Sequence, residues 1–377
     1  MSVLPPHLYE REGLDRGIPP ETLSRITGRR AALAAQGAYP LLSLGQLAHE
    51  TGASYTYLRE VVARRRDPYQ SFEIRKRNGG TRAIAAPEPM LMDVQRWMLV
   101  NLLDRLLGHP ASYAYQTGLS IVDCANQHRG ARWLIKLDIH DFFGSVTEPH
   151  VYKIYRRLGY HRLMAFELGR LSTRAPDAEF APTLGSRYRI QEYSVSEEGR
   201  LPQGAPTSGQ LANAAALRLD RLLSAFAARH RLVYTRYSDD LTFSSAAEFR
   251  RGDAVKLTHA LSGLIRAGGF TPHRTKTRIV PPGARHVVLG LLVEDEVRLL
   301  PEHARRIDNH LRGCEKYGLE SHALHRGFDS VLSFGNHLDG WIAFAMGVDR
   351  PRATEWRQRL LTLIPDVGSS ASPSALR

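Results

Sequence analysis

Two adjacent acids, Asp239 and Asp240, sit between two runs of strand-forming residues, Leu232-Val233-Tyr234 and Leu241-Thr242-Phe243. That context places both carboxylates in a tight hairpin turn, on short side chains carried by rigid backbone. An isolated Asp-Asp is a common turn former and carries no chemistry by itself. A third acid changes the reading. Asp138 ends the apolar strand Leu134-Ile135-Lys136-Leu137, where a carboxylate is costly unless paired or bound to a cation. Three such acids suit two magnesium ions about 3.5–4 Å apart, the arrangement that handles in-line phosphoryl displacement. Hard, oxygen-only ligands favour magnesium over zinc.

Two neighbouring stretches carry further candidates. Asp138 is followed by Ile139-His140-Asp141-Phe142-Phe143, so that a second aromatic lies five residues beyond the acid. Leu201-Pro202-Gln203-Gly204-Ala205-Pro206-Thr207-Ser208 precedes a helix. Its prolines and glycine impose an irregular backbone, and Thr207 or Ser208 is placed to cap the helix.

The elements that position these groups follow from periodicity. Residues 1–42 read as a helical, Arg-rich leader. Residues 43–66 read as two short helices around Thr51-Gly52-Ala53-Ser54, with Leu44, Leu47, Ala48, Leu58, Val61 and Val62 on the apolar faces. The spacing hints at a helix-turn-helix, but a small packing helical pair is the favoured reading, because the motif is short and common. Residues 72–86 form a β-hairpin about Asn78-Gly79-Gly80, which supplies the positive φ such turns require. An amphipathic helix is expected over 90–107, and helices over 120–130, 150–172, 209–230, 252–268 and 301–365. Strands are expected at 133–139, on either side of the acid pair in 231–245, and near 277–280 and 286–293. Residues 173–199 read as a polar hairpin or loop with an alternating patch from Tyr188 to Tyr193, and the tail from Gly368 as disordered. Strands and helices alternate without the regular period of a doubly wound sheet, which favours an α+β architecture.

Composition narrows the function class. The 377 residues carry 51 Lys plus Arg against 38 Asp plus Glu, a net charge of +13. With 43% hydrophobic and 24% charged residues, the chain is neither a disordered polyelectrolyte nor collagen-like. Two cysteines, Cys124 and Cys314, are too few for a disulfide framework or a zinc cluster, and a reducing interior is the default. No apolar run approaches a membrane span and the N-terminus lacks a signal-peptide core, so a soluble cytoplasmic protein without membrane partners is expected. The positive balance points to a polyanionic partner, most simply nucleic acid.

These pieces together resemble the bacterial reverse transcriptases, most closely the retron type. Phe72 to Pro87 resembles the fingers motif. Leu137-Asp138-Ile139 with Asp141-Phe142-Phe143 resembles the first palm motif, and Leu201 to Ser208 the Pro-Gln-Gly motif. Tyr237 to Phe243 resembles the Tyr-x-Asp-Asp box, with the Leu-Thr-Phe-Ser continuation frequent in retrons. Lys276-Thr277-Arg278-Ile279 resembles the next palm motif, and Val288-Leu289-Gly290-Leu291 the strand pair at the palm–thumb border. Each motif is weak alone, but six occur in family order across about residues 43–345. Four positions depart from the family pattern. Cys124 replaces the Asn of Asn-Ala-x-x-His, Leu289 the Thr of Val-Thr-Gly, Gly209 the Pro after the Pro-Gln-Gly motif, and Ser238 the commoner Ala.

The resemblance implies a right-hand polymerase of α+β type: a helical leader (1–66), fingers and palm (67–295), a helical thumb (296–366) and a disordered tail (367–377). It implies RNA-templated DNA synthesis from deoxynucleoside triphosphates with two magnesium ions. Asp138, Asp239 and Asp240 would be both catalytic and metal-holding, with Ile139 beside the first acid in the metal site. Arg82 and Lys76 would contact the triphosphate, and Lys276 the nucleotide or the site's electrostatics. Phe143 would be the sugar gate, excluding a 2′-hydroxyl, while Gln203 and Ala205 line the nucleotide pocket. His128, Arg305, Arg306 and Arg312 are candidate RNA contacts, and the Arg-rich segments 28–30 and 64–66 would track nucleic-acid backbone. The implied role is copying part of a structured noncoding RNA into DNA for antiphage defence, with a separate effector protein and no effector region in the chain. Two alternatives remain at this point: another bacterial defence or group II intron-like reverse transcriptase, and an inactive RNA-binding scaffold that kept the fold.

Overall fold

The computed structural model describes residues 11, 13–75, 79–175, 198–248 and 250–363. Lys76, the patch from Tyr188 to Tyr193 and the tail 367–377 lie outside the described residues.

Alternation along one strand organises the molecule. In β3 (Trp133–His140), Ile135, Leu137 and Ile139 are buried, whereas Lys136, Asp138 and His140 are not. A period of two sends these sets to opposite faces. β3 pairs antiparallel with β5 (Asp240–Ser245), which pairs antiparallel with β4 (Val233–Tyr237). On its other edge β3 pairs with β6 (Thr271–Pro272) and β7 (Arg278–Val280).

The register sets Ile135 opposite Phe243 and Leu137 opposite Leu241, building one apolar face. Two helices share its core: α8 (Ser208–Arg229) through Leu211, Leu219 and Leu223, and α9 (Arg251–Ala267) through Leu261 and Ile265. The opposite face carries Asp138, Asp240, Lys136, Thr242 and Thr235. Its far end is roofed by α5 (Ile121–Asn126) and by the strands β8 (Val287–Val288) and β9 (Leu291–Val293). Ala125, Leu134, Val288, Leu291 and Val293 form a small core there. Its near end is open.

Ahead of the first strand come α1 (Pro20–Ala35), α2 (Leu44–Thr51) and α3 (Tyr55–Val62). Ser43 and Ser54 cap the second and third, accepting from Gln46 N and Tyr57 N. The six apolar residues of the 43–66 pair all lie in the main core, which also takes Leu33 of α1. Next come β1 (Tyr69–Arg75) and β2 (Thr81–Pro87), an antiparallel hairpin that is exposed along most of its length. α4 (Pro89–Met98) follows, ending in a π-turn over Leu99–Leu103 rather than running on to residue 107.

The expected helix over 150–172 is two helices, α6 (Glu148–Arg157) and α7 (Arg162–Ser172). Gly159, at φ +99°, ends the first, and the His161 side chain accepts from Met164 N to start the second. After β10 (Val297–Leu299) the chain forms α10 (Pro301–Tyr317), α11 (Leu319–His325), α12 (Val331–Met346) and α13 (Arg350–Leu363). These bury their own core around Ile307, Leu311, Phe334, Ile342 and Trp356. Phe344 also packs on the β8–β9 core, tying the bundle to the sheet. The α+β class is therefore borne out, with antiparallel sheets and segregated helices.

Candidate active site

Strand register brings the acids together. Asp138 and Asp240 are direct cross-strand partners, although they are 102 residues apart in the chain. Ile139 N donates to Asp239 O at 2.9 Å, so the turn is anchored to β3 rather than left as a free tip. Ser238 takes φ +58° in that turn, a conformation a small residue tolerates better than a bulky one. From the apolar face, the Arg236 guanidinium donates to Ser238 O at 3.1 Å and to Asp220 at 2.7 and 2.8 Å.

The acids are electrostatically crowded. Burial raises the Asp138 carboxyl above its ordinary range and the Asp239 charge adds to this, while the hydrogen bond from Lys276 opposes it. Burial likewise raises Asp240, with Asp239 and Asp138 adding repulsion and Lys136 opposing. Lys276 Nζ lies 3.0 and 2.8 Å from the two Asp138 oxygens, and Lys136 Nζ lies 3.9 Å from Asp240 Oδ2. A divalent cation would relieve the same repulsion, and the donors are hard oxygens, so the set fits magnesium in kind. Among the described residues no three His, Cys, Asp or Glu side chains are gathered as a ready ligand cluster. Asp138 and Asp240 stand in lysine ion pairs that an ion would have to displace. Ile139 has its side chain in the core, which leaves its backbone as the group able to serve the site.

These residues floor a cleft of about 790 Å³. Arg82 on β2, Phe143, Gln203 and Lys276 line it together with the three acids and Ile139. Gln203 is held there by a backbone bond, Ala85 N to Gln203 O at 2.8 Å, which docks the Pro-Gln-Gly loop on β2. Gly204 makes that approach possible: it takes φ +122°, and a Cβ there would meet Ile84 at 2.8 Å and Ala85 O at 3.1 Å. Neither Thr207 nor Ser208 caps α8. The Ser208 hydroxyl instead donates to Pro202 O at 2.7 Å, closing the loop on itself.

Residues 74–300, well over half of the chain, match the family described as reverse transcriptase (RNA-dependent DNA polymerase). The retron Mx162 reverse transcriptase of Myxococcus xanthus is 37% identical over 280 residues, 71% of this chain and 56% of that protein. This chain belongs to the reverse transcriptase family, retron type. The retron Ec86 enzyme of Escherichia coli is 28% identical over 324 residues, covering 85% of this chain and 88% of its own. The chain thus spans little more than half the length of its Mx162 relative. Telomerase from Candida albicans, solved with a fragment of telomeric RNA, aligns with 79% of this chain and 57% of its own at 11% identity and a TM-score of 0.40.

Several predicted contacts lie elsewhere. His128 has no exposure. Its ring nitrogens lie 2.7 Å from Ser244 Oγ and from Thr235 Oγ1, and burial lowers its pKa to about 4. The RNA-contact reading is corrected: the ring pins α5 to the sheet and has no face left for a partner. Ala205 packs into the main core and does not line the cleft, because the loop turns inward after Gly204.

Arg64 is also corrected. It is buried, donates to Glu148 Oε2 at 2.8 Å and to Thr173 O, and belongs to the core. Arg66 pairs with Glu88 at 2.9 Å, while Arg29 is exposed. Arg305, Arg306 and Arg312 are exposed on α10, away from the cleft. Arg306 lies over the Trp341 ring at 5.5 Å, and Arg312 lines a second cavity of about 550 Å³ with Lys316 and Arg326.

Sequence reading missed Lys136, Arg174, Arg200 and Tyr115. Lys136 was open to detection, because it alternates with Asp138 on one strand face. Arg200 immediately precedes the Pro-Gln-Gly loop and lines the cleft beside Arg174. Tyr115 carried no local signal.

Proposed function

We propose that this chain is an RNA-directed DNA polymerase and that the cleft is its nucleotidyl-transfer site. The observation that carries this reading is the cross-strand pairing of Asp138 with Asp240, beside Asp239, on the floor of a cleft rimmed by Arg82, Arg174, Arg200 and Lys276. Asp138, Asp239 and Asp240 would hold two magnesium ions, with the Ile139 backbone adjoining. When bound, the ions neutralise phosphate charge and activate the attacking hydroxyl.

The chain's own residues do the rest. Arg82 binds the triphosphate through charge-assisted hydrogen bonds, with Lys76 as a second cation. Lys276 keeps Asp138 ionised until a stronger cation arrives, and is then free to face phosphate. Phe143 sets a flat apolar wall that a 2′-hydroxyl would strike, selecting deoxynucleotides by shape. Gln203 borders the nucleotide. Residues 67–295 serve as fingers and palm and 296–366 as thumb, behind a helical leader at 1–66. Arg305, Arg306 and Arg312 on the thumb attract nucleic-acid backbone, an attraction that falls steeply with salt. In the retron setting the template is a structured noncoding RNA copied into a small DNA product. We place this activity in the cytoplasm, in antiphage defence with a separate effector protein.

Primer extension on an RNA template, with magnesium and deoxynucleotides, tests the reading. Wild type extends the primer. Asp239→Ala loses roughly three orders of magnitude, the rate equivalent of about 4 kcal/mol of transition-state stabilisation. A folded wild type that extends no template would replace the polymerase with an inactive RNA-binding scaffold.

A further inference from the structure

The loop before α5 places one aromatic side chain against three neighbouring parts of the chain. Tyr115 is half-exposed and lines the cleft. Its ring meets Phe143 edge-on, with centroids 6.0 Å apart and an interplanar angle of 63°. Its hydroxyl lies 3.2 Å from Ser238 Oγ, in the turn that carries Asp239. Its ring also lies against Gly209 in the first turn of α8. A Cβ at 209 would come within 2.5 Å of Tyr115 Cγ, 2.6 Å of Cδ1 and 3.0 Å of Cδ2. Those atoms are at the root of the ring, so a small rotation of the side chain cannot clear them.

The backbone behind the tyrosine is clamped. Arg236 N donates to Ala111 O at 2.7 Å and Tyr113 N to Arg236 O at 2.9 Å, adding this loop to the edge of β4. The buried Asn213 side chain of α8 donates to Ala114 O at 2.7 Å and accepts from the Ser112 hydroxyl at 3.1 Å. Tyr115 itself takes φ +58°. For a bulky residue this is a strained conformation, which persists only where surrounding structure enforces it. Two residues at positive φ, Tyr115 and Ser238, therefore face each other across a hydroxyl contact at the mouth of the site.

From this geometry we propose that Tyr115 is a positioning residue for sugar selection: it braces the Phe143 ring, and Gly209 is the notch that admits the brace. Gly209 stands where the family resemblance expects proline, and Tyr115 occupies the space that a larger residue would take. The proposal rests on the reading of Phe143 as the sugar gate. Discrimination between deoxy- and ribonucleotides depends on how rigidly that ring is held, because a wall able to tilt by a fraction of an ångström admits one more oxygen.

Single-nucleotide incorporation by the full chain tests this, read as the ratio of kcat/KM for a deoxynucleotide to that for the matching ribonucleotide. Phe143→Val tests the gate itself and should collapse the ratio. Tyr115→Ala and Gly209→Ala should each lower it by about tenfold, the scale of one misplaced contact in a shape-selecting pocket. Tyr115→Phe keeps the ring and should keep the ratio. The double variant Tyr115→Ala with Gly209→Ala should be no worse than Tyr115→Ala alone, because the added methyl then has nothing to push. A ratio unchanged in Tyr115→Ala while Phe143→Val relaxes it overturns the brace and spares the gate. Additive losses in the double variant also overturn it. A ratio unchanged in Phe143→Val removes the gate and the brace together.

Discussion

Asp220 and Arg236 meet at 2.7 Å on the helix-covered face of the sheet, with no exposure of either side chain. Asp138 and Lys276 meet at 2.8 Å on the open face, with side-chain exposures of 13% and 49%. Length does not distinguish these pairs; surroundings do. The Asp220 oxygens accept from Arg236 Nε and Nη2 and from the Tyr234 hydroxyl, and Arg236 spends its remaining donor on Asn213 and Ser238 O. Both buried charges are thus satisfied by protein. The Asp138 pair leaves a carboxylate whose ionised form is opposed by burial and by Asp239, held by one lysine on a flexible stem. A closed network specifies geometry, and a half-open one can exchange partners. The backbone of Ser238 joins the two, because the closed pair grips the turn that carries the open one.

Breaking the closed pair should have the largest effect on stability. Asp220→Ala strands a buried guanidinium and should cost about 3–5 kcal/mol in denaturant unfolding. An Asp220→Ala protein within about 1 kcal/mol of wild type would end the contrast with the open pair.

The next effect belongs to His128, buried and neutral between Ser244 and Thr235. Its folded pKa is depressed to about 4 from an ordinary 6.5, so the unfolded chain binds the proton more readily. Its contribution is therefore complete above pH 6.5 and is lost as pH falls toward 4, at about 1.4 kcal/mol per pH unit. Unfolding free energies measured between pH 7 and 5 should fall accordingly, and His128→Asn should remove that part of the slope. A slope identical in the variant would refute the assignment.

The smallest effect is expected at the open pair. Asp138→Asn should shift stability by less than about 1 kcal/mol, because the half-exposed Lys276 ammonium that it leaves is well solvated when unpaired. A loss as large as that of Asp220→Ala would show that both pairs are structural.

The chemistry-bearing elements were legible because their signals are local. The apolar and polar alternation of β3, the acids between two strand-forming runs and the proline-glycine punctuation of 201–208 all lie within windows of a few residues. What misled the reading was equally local. His128 and Arg64 look like any exposed polar residue in a basic chain, and Ala205 lies two residues from a true cleft residue. The burial of His128 depends on Ser244 and Thr235, each more than a hundred residues away. That of Arg64 depends on Glu148 and Thr173, 84 and 109 residues away.

By itself the sequence determined which residues can alternate, turn and carry charge, since steric and hydrophobic periodicity act between near neighbours. Only the tertiary structure decided which charges are closed off and which remain exchangeable, and it alone placed Tyr115 over Gly209 and against Phe143. Desolvation and close packing depend on what folds over a residue, and those partners come from distant parts of the chain.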